Sequence, residues 1–135
     1  MTVFQIPSDR SETDIRISEL RQMFNSGCSR LPVVDHENRP LYMIHESMVD
    51  HHIASGNTEE DTLDQFINQQ REGGFSFKVN AGFVIASEKA TIISAKQKME
   101  NLPSCQDIFI TKEGSSDEPL SGWISNVRLA KFMNM

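Results

Sequence analysis

The chain has 135 residues, 38% of them hydrophobic, with 13 Lys and Arg against 19 Asp and Glu, a formal charge of −6. That length suits one compact domain or two small interlocked ones, and the apolar content is enough to bury a core. The acidic balance, with no basic run, argues against nucleic acid as a partner, and no apolar stretch reaches the ~18 residues of a membrane-spanning helix. Met1 to Asp9 carries neither the basic nor the apolar region of a signal peptide. The expectation is a cytoplasmic protein without membrane insertion, whose two cysteines, Cys28 and Cys105, stay reduced.

Phe4 to Ile6 reads as a short strand. After Ser18, a candidate N-cap, Leu20, Met23 and Phe24 recur at helical spacing, and Gly27 supplies a left-handed stop. Leu31 to Val34 and Leu41 to Ile44 are apolar runs on either side of the turn-rich Asp35 to Pro40, which predicts adjacent strands of a buried sheet. Glu46 to Ala54 sets Val49 and Ile53 on one helical face, with Gly56 as its stop. Thr58 to Asp61 approximates a capping box for a connecting helix with Leu63, Phe66 and Ile67, ended by Gly73 and Gly74. Phe75 to Val79 alternates apolar and polar, as a half-buried strand or an extended linker does. A second series follows: Phe83 to Ile85, a helix with Ile92, Ala95 and Met99, strands at Ile108 to Ile110 and Trp123 to Ile124, and a last helix from Val127 to Met133.

The second series repeats the first. At an offset of 76, Ile17-Ser18 matches Ile93-Ser94, Met23 matches Met99, and Val33-Val34 matches Phe109-Ile110. Upstream, Phe4 to Asp9 resembles Phe83 to Glu88 at 79. Downstream, Pro40 to His45 resembles Pro119 to Ser125 at about 80, the extra residues falling in the polar stretch Lys112 to Glu118. The expected organisation is a first repeat over 1–56, a connecting helix and linker over 57–81, and a second repeat over 82–135. Residues 3–6 and 83–85 should hold equivalent places about an approximate two-fold axis.

Chemistry-bearing clusters are few. His45, Asp50, His51 and His52 carry metal-ligating groups, but adjacent histidines on a helix diverge by ~100° and none lies at chelating spacing, so no metal site is expected and the histidines read as a solvated helix end. Glu59, Glu60, Asp61 and Asp64 suit a helix N-terminus better than a calcium loop. There is no phosphate-cradling Gly loop, nucleophile elbow or paired Cys and His, so an enzyme is not expected.

Ser29-Arg30-Leu31-Pro32-Val33-Val34-Asp35 with Leu41 to Asp50, and Gln106 to Thr111 with Leu120 to Lys131, resemble the tandem CBS-domain pair, or Bateman module. The resemblance spans nearly the whole chain outside residues 57–81. It implies an α+β fold of two pseudo-symmetric repeats and a regulatory role in which an adenine nucleotide such as AMP or ATP, or a related anionic ligand, binds between them and biases a partner enzyme or transporter. The alternative is a ligand-independent interaction or assembly module. The family's cleft motif is Gly, two apolar residues, a hydroxyl, two variable residues and Asp, the carboxylate accepting from both ribose hydroxyls. Here the first repeat reads Tyr42-Met43-Ile44-His45-Glu46-Ser47-Met48, and the second reads Gly122-Trp123-Ile124-Ser125-Asn126-Val127-Arg128. Neither keeps the Asp.

Gly122, Ser125 and Arg128 are therefore the candidate ligand residues, with Arg128 suited to phosphate, and His45 is the candidate in the first repeat. Each has a plainer role: Ser125 as a helix cap, Arg128 in solvent, His45 hydrogen-bonded at a strand end. Tyr42 should obstruct the first motif, and Trp123 is either a stacking platform or a core residue. A homodimer is expected through the helix faces of Val49 with Ile53 and Leu129 with Phe132.

Overall fold

The computed structural model describes residues 2–72, 83–101 and 107–133. Gly73-Gly74, the 75–79 stretch and Cys105 lie outside these, as does the side chain of Phe132.

Two three-stranded sheets share one plan. In the first, β1 (Phe4–Gln5) runs parallel to β2 (Arg30–Val34), which pairs antiparallel with β3 (Pro40–His45). In the second, β4 (Phe83–Ser87) runs parallel to β5 (Asp107–Thr111), which pairs antiparallel with β6 (Gly122–Ser125). Pro32 sits in a middle strand without a donor. It is tolerated because β1 reaches only Val33 and Val34, leaving β2 an edge at Pro32 on that side. The helices are α1 (Ile17–Asn25), α2 (Glu46–Ala54), α3 (Leu63–Glu72), α4 (Ile92–Glu100) and α5 (Asn126–Met133).

The repeat is real, but its offset across the central strands is 77 rather than 76. Leu31 pairs with Ile44 and Ile108 with Ile124, so Leu31 corresponds to Ile108 and Val33 to Ile110. The difference matters because a slip of one residue exchanges the faces of a strand. Leu31 and Val33 pack beneath their own helices, as do Ile108 and Ile110, whereas Phe109 belongs to the seam between the repeats. The first strands both run parallel to the middle strand, but Phe4 lies opposite Val33 and Ala86 opposite Ile110, so Phe4 corresponds to Ala86 and not to Phe83 as the offset of 79 implies.

Three apolar clusters follow. The first gathers thirteen buried residues, including Ile17, Leu20, Val33, Tyr42 and Val49, together with Leu63, Phe66 and Ile67 of α3. The seam contains Val34 and Met43 from one repeat and Phe83, Phe109 and Leu120 from the other, the two phenyl centroids 4.4 Å apart. The third holds Ala86, Met99, Ile108 and Leu129. At about 25 cal/mol per Å² of apolar surface, the first cluster contributes most to stability among the described residues.

Local chemistry moves several caps. Helix α1 begins at Ile17 with Arg16 as N-cap, not Ser18, and Glu19 accepts from the Arg16 N–H at 2.8 Å. Ser18 is helical, its N–H donating to the Glu59 carbonyl. The capping box of α3 is Thr62 with Gln65, four residues beyond the expected one: the Gln65 N–H donates to Thr62 Oγ1, and the Thr62 N–H to Gln65 Oε1. Residues 58–61 are then free to form a turn that satisfies the open amides of α1. Gly27 and Gly56 end α1 and α2 with φ of 117° and 92°, conformations that suit glycine.

The acidic stretch Lys112 to Glu118 folds around its own carboxylate. Glu118 accepts from the N–H groups of Ser115 and Glu113 and from the Thr111 hydroxyl, and these hold its carboxyl below the ordinary range. Among the described residues no helix is long and apolar enough to cross a membrane.

Candidate functional site

Where β6 meets α5, the second repeat contributes residues 121–123 with Ser125 and Arg128 to a cleft of about 490 Å³. Thr2, Cys28 and Arg30 of the first repeat close its other side. Gly122, Ser125 and Arg128 are thus brought together as the sequence anticipates, and His45 is not among the lining residues. A Cβ built on Gly122 meets nothing within 4 Å, so glycine here leaves open space rather than relieving a clash. Ser125 takes its plainer role as well, accepting the Arg128 N–H at 3.2 Å and so capping α5. Trp123 is half-buried, packing against the seam while lining the cleft. Cys28 is a free thiol whose Sγ donates to the Met23 carbonyl.

His45 goes elsewhere. Its Nε2 lies 2.8 Å from Asp107 Oδ2, while Arg30 Nη1 donates to Asp107 Oδ1 at 2.8 Å. Arg30 Nη2 also reaches Asn126 Oδ1 at 3.3 Å. The Asp107 side chain has 0% exposure, so this carboxylate is compensated by one cation and one imidazole supplied across the seam. A buried charge with two such partners is tolerated, but one stripped of them is costly. Arg30 pairs with His45 and Asp107 with Ser125 along their strands, so Arg30 and Asp107 occupy equivalent positions of the two repeats. Neither was a candidate from sequence. The signal was available only as a charge reversal at matched positions, hidden by the one-residue error in offset.

The first motif differs from expectation at Tyr42. Tyr42 does not obstruct a cleft: its ring is buried in the first core and its hydroxyl donates to Glu12 Oε1 at 2.8 Å. What removes the motif's polar group is the engagement of His45 by Asp107. The remaining members of the histidine cluster also diverge. Asp50 pairs with Arg21 at 2.8 Å, and His52 is 1% exposed, with Nε2 3.0 Å from Asp61 Oδ2 and its ring edge against Phe66 at 5.1 Å. His52, read as part of a solvated helix end, is therefore a core residue. It shares the inward face of α2 with Val49, three residues away, because α3 and the 58–61 turn cover that face.

A second hollow of about 300 Å³ involves Asp35, Arg39, Phe83 and Asp117. Arg39 Nε donates to Asp35 Oδ2 at 2.7 Å. Burial pushes the Asp35 carboxyl up, but the Arg39 backbone N–H, the Arg39 guanidinium and the Glu37 N–H outweigh it and hold the group below the ordinary range. The two hollows differ in kind: among the described lining residues the smaller has two carboxylates and one arginine, and the larger has two arginines, one of them paired with Asp107.

Of the residues expected at a dimer contact, Ile53 is half-buried and the side chain of Phe132 lies outside the described residues. Val49 is 0% and Leu129 3% exposed, both packed within their own repeats. The exposed large apolar residues among those described are Ile92, Ile93 and Val127, at 44%, 62% and 57% exposure on α4 and α5.

No family model matches the sequence, and no curated protein matches it. Solved structures do. A CBS-domain pair in complex with 5-methylthioadenosine and S-adenosyl-L-methionine aligns over 99% of this chain and 89% of its own, with a TM-score of 0.66 and 12% identity. A CBS domain protein from Pyrobaculum aerophilum complexed with AMP aligns over 100% and 94%, with a TM-score of 0.61 and 11% identity. A CBS-domain-containing protein of unknown function from Kribbella flavida aligns over 98% and 91%, with a TM-score of 0.57 and 16% identity. The chain has the fold of a tandem CBS-domain pair, α+β with one sheet in each repeat.

Proposed function

We propose that this chain is a cytoplasmic regulatory module whose second-repeat cleft, not its first, binds an adenine nucleotide or a related anionic ligand and so biases a partner enzyme or transporter. The observation that carries the reading is the cleft of about 490 Å³ that joins Gly122, Trp123, Ser125 and Arg128 of one repeat to Arg30 of the other. An aromatic face, an open glycine and guanidinium groups are what a base and a phosphate require. A ligand held between the repeats favours the arrangement in which they are closed, and this differential affinity is what a regulatory module transmits. The structures similar to it that hold AMP, or S-adenosyl-L-methionine with 5-methylthioadenosine, support the ligand class.

The test is thermal denaturation with AMP, ADP, ATP and S-adenosylmethionine. A binding ligand at 100 times its dissociation constant adds ~2.7 kcal/mol, a shift of several degrees for a domain of this size. No shift with any of them overturns the reading.

A second reading, assembly without ligand, is favoured by Ile92, Ile93 and Val127 on α4 and α5. Under it the chain forms a homodimer through these helices. Sedimentation decides it: a dimer that Ile93→Lys dissociates supports this reading, and a monomer at tens of micromolar, the ~10⁻⁵ M scale of weak association, rejects it.

A further inference from the structure

We infer that the cleft recognises its nucleotide through phosphate and does not read the ribose, so that 2′-deoxynucleotides bind as well as ribonucleotides. The inference rests on the nucleotide reading above and narrows its ligand class. A vicinal diol is read most effectively by a carboxylate, because one group can accept from both hydroxyls. Among the described residues, no carboxylate side chain lines the cleft.

Two of the lining hydroxyls bond to the backbone, and a single hydroxyl is not the two-pronged acceptor that a carboxylate is. Ser125 Oγ accepts the Arg128 N–H, and Ser121 Oγ donates to the Ile110 carbonyl at 3.0 Å. Arg128 follows Ser125 by three residues, the position at which the family pattern has its Asp, so the sign of the charge in this part of the cleft is reversed. Arg30 adds a second guanidinium from the opposite repeat. Arg30 is paired with Asp107, so Arg128 is the lining guanidinium on which the preference for an anion chiefly rests. Guanidinium groups donate and cannot accept, so they bind phosphoryl oxygens and give a ribose hydroxyl proton no acceptor. Affinity therefore rises along adenosine, AMP and ATP, falls with added salt, and is indifferent to the 2′ position.

Calorimetry on the full chain with ATP, dATP, AMP, adenosine and inorganic tripolyphosphate tests this, alongside Arg128→Gln. The expected result is ATP and dATP within twofold of each other, and adenosine at least tenfold weaker than AMP. Arg128→Gln should weaken ATP at least tenfold. A tenfold preference for ATP over dATP, or adenosine binding as tightly as AMP, overturns the inference while leaving the nucleotide reading intact. Tripolyphosphate binding as tightly as ATP, with AMP silent, supports phosphate recognition and overturns the nucleotide reading. Absence of heat with every compound, together with no thermal shift, overturns both.

Discussion

The two repeats share strand order and pairing but have diverged in use. In the first, α3 is folded into the core, Tyr42 and Val49 are buried, and the motif's His45 is held by a buried carboxylate. In the second, four buried residues form the own-repeat cluster among the described residues, β6 is half-exposed along its whole length, and Gly122 lines a cleft. The contrast teaches that a duplicated unit can divide its labour: one copy becomes a stable platform, and the other keeps the accessible, less tightly packed surface that a ligand site needs.

The sharpest way to break this comparison is to empty each core in turn. Phe66→Ala, in the first core, should lower stability by about 4 kcal/mol, against about 2 kcal/mol for Met99→Ala in the second, both measured by urea denaturation. Equal losses would mean that the division between platform and site is not energetic. Next comes the seam. Arg30→Met takes from buried Asp107 its guanidinium partner, and should cost about 3 kcal/mol; Arg30→Met with Asp107→Leu should recover most of that, because the buried charge is removed with its partner.

A smaller effect distinguishes the hollows. Asp35→Asn should cost about 2 kcal/mol at neutral pH, through hydrogen bonds lost from a charged acceptor. Because the folded-state pKa of Asp35 lies below the ordinary value, its contribution is complete above about pH 4 and is lost as the pH falls through the folded value. Melting curves of the parent and variant should therefore converge under acid. Smallest of all is Gly122→Val: with open space at its Cβ, stability should change by no more than about 0.5 kcal/mol, while the thermal shift with ATP disappears.

The order of elements was legible because Leu20, Met23 and Phe24, and the paired apolar runs around Asp35 to Pro40, carry local periodicity. Register was not, since Val33-Val34 and Phe109-Ile110 are uniformly apolar and look alike after a slip of one residue. His52 was misplaced for a related reason: its burial depends on Asp61 and Phe66, which arrive from a later segment. Gly122, Ser125 and Arg128 could be nominated together because they lie within seven residues of one motif. Arg30 and Asp107 meet at a separation of 77 residues, and only the topology joins them.

The opposite charges at the Arg30 and Asp107 positions also carry an assembly rule. A chain built from two copies of the first repeat would set arginine against arginine there, and one built from two copies of the second would bury two facing carboxylates. The charge reversal therefore favours a pairing of unlike halves over a pairing of like ones, and a symmetric assembly of either repeat alone would set like charges face to face.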